Sequence, residues 1–408
     1  MSKRIEFKKS TKWKIAARSG YRCAYLNCDR ATAGPGATAD EPSITGEAAH
    51  IWSAAEGGPR GQGGLTESDL RRPQNGIWLC RTHAKMVDEK RGAHFPAALL
   101  MSYRDLHEAR IAREQQGIAR RMAWLDRVTV ARSAVFESLA QMTLAKVTLV
   151  IGGNASDRTA LCEWISAFER PELLERWRTG KRFSPLRIEL KLFDPAEQSI
   201  GLGIDAERRI YFEVNDVGVS YNPFPFRPIW LRDDCSMPMP DNDDDWIASS
   251  LGIDSYVVGN VLKEVREDSD AFTKNPRIEV NDEGHRRIRA HNIDARDLPL
   301  RVFSTGERGR LLVDVAIALA RTSARFVPTI LLLDGFITSF DSENLRTVAS
   351  RLASSENQFQ SVLFRVAHPD EDALHLLSPA WQMVHLRGRE TNVKIEVEGL
   401  TSGIARSS

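Results

Sequence analysis

Four residues in the first quarter of the chain have the side chains and spacing of a metal site. Cys23 and Cys28 are separated by four residues, and Cys80 and His83 by two. Three soft thiolates with one imidazole suit a tetrahedral structural zinc. The segment around them is rich in Gly, Ala, Thr and Pro and has little apolar content to bury. Metal binding of about 10–16 kcal/mol, as in small zinc domains, would then hold it folded. The competing account is a coincidence of four unrelated residues. Cys162 and Cys235 stand alone and read as ordinary core or surface positions.

Between the two pairs runs GEAAHIWSAAEGGPR, and then LRRPQNGIWLCRTHAKMVD. His50 follows residues compatible with a β-strand, and Asn75 precedes a second short strand. An imidazole can deprotonate water near neutral pH, as phosphodiester hydrolysis requires. A cation must offset charge on the phosphate.

Over residues 11–100 the segment resembles the HNH endonuclease family. The match rests on the cysteine pair, Ala-His-Ile, the Gly-Gly loop, Asn-Gly and the Cys–His pair. The resemblance implies two strands and a helix that hold one metal, Mg²⁺ or another divalent ion, against a scissile phosphate. It makes His50 the general base and Asn75 the residue that orients the loop. Two positions depart from the pattern: Ala49 replaces the acid before the base, and Ala84 replaces the helix ligand. Asp88, one turn beyond Ala84, is the best remaining ligand for a catalytic metal, and Glu47 a weaker one.

A second constellation lies in the C-terminal half. FSTGERGRLLVDVAIALA, PTILLLDGFITSFDSENL and SVLFRVAH resemble, in this order, the C-terminal lobe of ABC-class ATPases, near the SMC-like branch. The resemblance makes Ser304 and Gly306 signature-loop residues that touch nucleotide held by a partner head. It makes Asp334 the Walker B carboxylate, Asp341 the D-loop residue and His368 the switch histidine. Upstream, VTLVIGGNASDRTAL stands where a phosphate-binding loop belongs. Gly152 and Thr159 match that loop, but Asp157 replaces its second glycine and Arg158 its lysine. Gly335 replaces the glutamate that follows Walker B. The fold is expected to be kept and hydrolysis lost, with ATP binding left open.

Positioning these residues requires particular elements. STKWKIAARSG (10–20) predicts a helix capped by Ser10 or Thr11 and ended by Gly20. Residues 31–47 and 56–76 predict loops, 77–80 a strand, and THAKMVDEK a helix. Apolar spacing over 95–127 predicts one long amphipathic helix. Strands are expected at 146–151, 187–193, 209–214, 329–334 and 361–367. Helices are expected to 168, over WIASSLGIDSYVVGNVLKEVRED and over 308–324, with a turn at 222–228. Alternating strands and helices imply an α/β sheet.

The expected architecture is α+β and multi-domain. It consists of a ββα-metal HNH module with structural zinc (1–94), a helical linker (95–140) and a degenerate ABC/SMC-like domain (141–400). The 408 residues suit two or three domains, and a net charge of +1 announces no partner. The first 22 residues are different, with eight Lys or Arg against one acid, a basic face for phosphate. No signal peptide and no membrane-length apolar run is evident, so a cytoplasmic protein is expected. The leading expectation is a metal-dependent DNA endonuclease controlled by the head, resembling bacterial antiviral defence effectors. Its partner would be a second copy or a true ATPase. The alternative is a non-catalytic, DNA-binding zinc scaffold with a pseudo-ATPase head.

Overall fold

The computed structural model describes residues 4–25, 28, 30–38, 40–115, 124–180, 183–193, 197–220, 226–232, 239–292, 295–335, 340, 342–354, 356–366, 381–389 and 391–397. Cys235, Asp341 and His368 lie outside them.

Helix α1 (Lys9–Arg18) begins one residue before the expected caps. Lys8 is its N-cap and makes no side-chain capping bond. The helix ends as expected: Gly20 takes φ 57°, and the amides of Gly20 and Tyr21 return to the carbonyls of Ala17 and Ala16. Strands β1 (Ala33–Pro35) and β2 (Pro42–Ile44) form a small antiparallel pair inside the stretch read as loop. Strands β3 (Gly46–His50) and β4 (Gly76–Cys80) pair antiparallel, from Gly46↔Cys80 to His50↔Gly76. Between them lies the one-turn helix α2 (Glu67–Leu70). Helices α3 (Arg81–Asp88) and α4 (Ala97–Gln115) follow.

Alternation along the hairpin divides its residues between two faces. Ala48 and Trp78 pack with Phe7, Ile15 and Ala16 on the α1 side. Ala49, Ile51, Ile77 and Leu79 pack with Ala84, Val87 and Leu100 on the α3–α4 side.

The remainder of the chain runs β5 (Trp124–Arg132), β6 (Ala140–Thr143), β7 (Val147–Gly152), α5 (Arg158–Ser166), α6 (Glu175–Thr179), β8 (Leu186–Phe193), β9 (Glu197–Ile204), β10 (Ile210–Val214), β11 (Val217–Val219), β12 (Arg227–Leu231), α7 (Asp243–Leu251), α8 (Ser255–Glu267), β13 (Lys274–Val280), β14 (Arg286–His291), β15 (Asp297–Pro299), α9 (Thr305–Ala324), β16 (Thr329–Asp334), α10 (Ser342–Ala353), β17 (Gln360–Val366), β18 (Gln382–Arg389) and β19 (Thr391–Val397). Among the described residues the central sheet has the order β12-β16-β17-β7-β18-β19, parallel except for the β18–β19 pair. It is covered on both sides. Leu331 and Leu333 of β16 face a core containing Trp246, Leu262 and Leu312. Ile330 and Leu332 face one containing Trp164, Ile188 and Leu202. Burial on both faces is why TILLL is an unbroken apolar run. A second, antiparallel sheet has the order β11-β10-β9-β8-β5-β6.

Two expected elements differ. Within 95–127 the described helix covers Ala97–Gln115, and Trp124–Arg132 is a strand paired with β8. Trp124–Arg132 and Ala140, expected in a helical linker, thus belong to a sheet. The register shifts between Leu125 and Arg127, so buried Leu125 and Val128 fall three apart and imitate helical spacing. The single helix over 246–268 is two, α7 and α8, because Gly252 takes φ 63° and turns the chain.

Helix α4 links the halves. The Lys146 amide, just before β7, donates to Ser102 Oγ at 2.6 Å. Lys146 Nζ lies 3.7 Å from Asp105 and donates to the Ser354 carbonyl at 2.5 Å.

Candidate functional site

The loop after α1 supplies Cys23 and Cys28, the end of β4 supplies Cys80, and the first turn of α3 supplies His83. Their donor atoms all lie within 4.8 Å of one another. His83 Nδ1 is 3.5 Å from Cys23 Sγ and 3.3 Å from Cys80 Sγ. A tetrahedral ion with Zn–S bonds near 2.3 Å sets its sulfurs about 3.8 Å apart. Both the spacing and the donor chemistry fit one metal ion. Burial pushes the Cys23 thiol up to about 12, so a bound cation would be needed to hold it as thiolate. Burial lowers His83, which keeps its ring neutral and able to ligate. Tyr25 stacks on the His83 ring, centroids 4.0 Å apart and planes 11° from parallel. Its role had no signal in the sequence.

His50 ends β3 and points to the α1 side. Phe7 stacks on its ring, with centroids 3.7 Å apart and planes within 1°. His50 Nε2 is buried without a hydrogen-bond partner. Burial pulls its pKa down to about 4, the nearby Arg4 and Lys12 adding to the effect and Glu6 opposing it. Asn75 brackets the turn that follows. Its Oδ1 accepts from the Trp52 amide at 2.8 Å, and its Nδ2 donates to the carbonyls of Trp52 (3.0 Å) and Leu70 (3.2 Å).

Asp88 sits at the end of α3 and pairs with Arg60 at 2.6 Å. Only 4% of the Arg60 side chain is exposed, and it also donates to the carbonyls of Ile51 (2.7 Å), Val87 (2.7 Å) and His50 (3.2 Å). Arg60 therefore ties the end of β3 to the end of α3. Sequence reading passed over it as part of a loop. Ala49 and Ala84, at the two departed ligand positions, lie in the apolar cluster beneath the hairpin. Glu47 pairs with Arg81 at 3.4 Å. Among the described residues, Cys23, Cys28, Cys80 and His83 are the one cluster of this kind. The residues assigned to a catalytic metal do not assemble a second donor set here.

In the C-terminal half, parallel pairing brings the carboxyl ends of β7 and β16 to one edge, with β17 between them. Ligands bind at such edges in α/β sheets. The chain leaves β7 at Gly152, where a Cβ would come within 2.2 Å of Ser156 Oγ. Asp157 takes φ 54°, so the second-glycine position keeps a left-handed backbone without a glycine. Thr159, in the first turn of α5, donates from Oγ1 to Asp334 Oδ2 at 2.8 Å. Arg158 lies beside them, with burial drawing its pKa down and Asp334 opposing that, and its Nη1 is buried without a partner. Burial also raises the Asp157 carboxyl. Gly152, Arg158, Thr159 and Asp334 are thus gathered.

Ser304 and Gly306 are at the start of α9, and Ser304 is exposed. Ser304 Oγ accepts from the Glu307 amide at 3.3 Å, while Glu307 accepts from the Ser304 amide at 2.8 Å. This is a reciprocal capping box, legible in S-T-G-E but read only as a signature loop.

No protein-family model matches this sequence, and none of the curated proteins matches it. Solved structures do align. A Smc head domain from Pyrococcus furiosus, with an extended coiled coil and bound to the C-terminal domain of ScpA, is 11% identical (TM-score 0.47; 68% of this chain, 96% of that one). The SMC head domain from Thermotoga maritima is 12% identical (TM-score 0.40; 67% and 98%). The recombination mediator protein RecF is 11% identical (TM-score 0.42; 67% and 98%). The chain is a mixed α/β protein, and each of these alignments covers about two thirds of it. Among the described residues no helix is long and apolar enough to cross a membrane.

Proposed function

We propose that this chain is a zinc-braced, HNH-type endonuclease module acting on DNA, controlled by a degenerate ABC/SMC-like head, in antiviral defence. The observation that carries the reading is the Asn75 side chain, which clamps the turn directly after His50 through three hydrogen bonds. This is the work the HNH resemblance assigns to it. Zinc is held by Cys23, Cys28, Cys80 and His83 and braces the hairpin. His50 is the proton acceptor for water once its Nε2 is uncovered. The head binds nucleotide at Gly152, Arg158, Thr159 and Asp334 and acts by pairing rather than by turnover. The partner is a second copy or a true ATPase, met through Ser304 and Gly306.

A second reading is a DNA-gripping scaffold without cleavage. It is favoured by the methyl groups of Ala49 and Ala84 inside the core and by the Asp88–Arg60 pair. Plasmid nicking by wild type and His50→Ala, with Mg²⁺, Mn²⁺ or Zn²⁺ supplied in turn, separates the two. Nicking by wild type that His50→Ala abolishes supports the endonuclease. DNA binding without nicking under every metal supports the scaffold.

A further inference from the structure

Trp13 lies midway along α1 and is 62% exposed, whereas Ile15 and Ala16 of the same helix are buried. Lys8, Lys9, Lys12 and Lys14 around it are exposed and make no ion pair among the described residues. Arg4 and Arg18, by contrast, are paired with Glu6 and Glu108. A bare indole among unneutralised cations is what a polyanion with flat, stackable groups would fill.

Trp13 also stands on a ridge between two hollows. On one side is a groove of about 460 Å³ whose wall includes Arg4, Lys12, Trp13, Glu47, Ala48 and Trp78. On the other is a larger hollow of about 1010 Å³ whose wall includes Lys14, Arg18, Gln74 and Arg104. The first groove follows the α1 face of β3. Ala48 precedes His50 by two residues on that face, about 7 Å along a strand. Glu6 lines the groove, next to the Phe7 that covers His50.

We propose that Trp13 is a stacking platform for an unpaired base and that the α1–β3 groove receives a single strand leading toward His50. The lysines beside Trp13 hold its phosphates. Stacking needs an open base face, which a duplex hides, so the site selects single-stranded or locally melted DNA. This rests on the nucleic-acid reading above, not on cleavage.

The test is binding of the full chain to a fluorescent 12-nucleotide single strand and to the matching duplex, at one fixed salt concentration and with EDTA-free buffer to keep zinc bound. Stacking of one base predicts that Trp13→Ala weakens single-strand binding about 5- to 150-fold. Duplex binding should move less than twofold, and Trp13→Phe should recover most of the loss. Zinc content checks that each variant is folded. Equal losses on single strand and duplex, or no loss on either, overturn the platform while leaving DNA binding standing. Displacement of the strand by polyglutamate at equal charge concentration also overturns it, in favour of an acidic protein partner. Wild type that binds neither oligonucleotide overturns both the platform and the DNA reading.

Discussion

The Thr159 hydroxyl donates to the Asp334 carboxylate across 2.8 Å, joining the first turn of α5 to the end of β16. The two residues are 175 positions apart in sequence, and the parallel order β16-β17-β7 is what brings them together. In a phosphate-binding loop this hydroxyl and carboxylate together hold Mg²⁺. Asp334→Ala should therefore weaken Mg–nucleotide binding at least tenfold in a fluorescent-nucleotide titration, while Asp334→Asn keeps the protein folded as a control. ATP turnover should stay at background in wild type, because Gly335 offers no carboxylate to polarise water. Robust turnover by the purified chain would refute the degenerate head.

Purified protein should carry about one tightly held zinc per chain, read by elemental analysis. Cys80→Ser should lose it and unfold the N-terminal module, since structural zinc supplies folding free energy. The C-terminal domain has its own two cores and should remain folded to limited proteolysis. Cys162 is fully buried in one of them, and Cys162→Ala should leave the zinc untouched.

The Phe7–His50 stack predicts a pH dependence. His50 titrates near 4 when folded and near 6.5 when unfolded, so below pH 6.5 the unfolded chain binds the extra proton. The contribution is full above about 6.5, and stability falls as pH drops toward 4. The upper bound is about 3 kcal/mol. Denaturation curves of wild type and His50→Phe should diverge across that window, which separates this effect from acid release of zinc. Phe7→Ala should raise the His50 pKa, seen by NMR. If His50 is the base, the same substitution should also speed nicking.

Arg60 makes four polar contacts from a nearly dry position. Arg60→Met would strand the carbonyls of Ile51 and Val87, a cost of about 2–5 kcal/mol. Asp88→Asn leaves most of those bonds in place and should cost about 1 kcal/mol or less, its carboxylate being half exposed. If Asp88 instead serves a catalytic metal, Asp88→Asn should cut nicking at least tenfold with no matching change in stability.

What was legible in the sequence follows from what local pattern can encode. The quartet of Cys23, Cys28, Cys80 and His83 could be read because a tetrahedral metal site fixes donor type and spacing, and TILLLD because a strand buried on both faces must be apolar throughout. β5 was misread because its bulge mimics helical spacing. Arg60 and Tyr25 were missed because their contacts exist only once β3, α3 and α4 are packed together. His50 was placed on its strand correctly, but nothing in A-H-I reveals that Phe7, 43 positions earlier, covers it.

Pairing of heads makes the last prediction, and the capping box decides how to test it. Ser304→Arg would confuse two effects, since it removes a helix cap worth about 1 kcal/mol as well as altering the surface. Gly306 is the cleaner probe. A Cβ there meets no atom within 4 Å, and no positive φ holds the position for glycine. Gly306→Arg should therefore fold normally within the chain while projecting a long cation into any head that docks on the start of α9. Ser304→Ala should lower stability slightly and, because its hydroxyl also belongs to the proposed contact, weaken nucleotide-dependent assembly without abolishing it. Sedimentation with and without nucleotide should show wild type and Ser304→Ala associating, with a copy or with an added ATPase, and Gly306→Arg remaining monomeric. A chain that is monomeric under all conditions, yet acts on DNA and ignores Gly306→Arg, would refute pairing and leave Ser304 only its role as a helix cap.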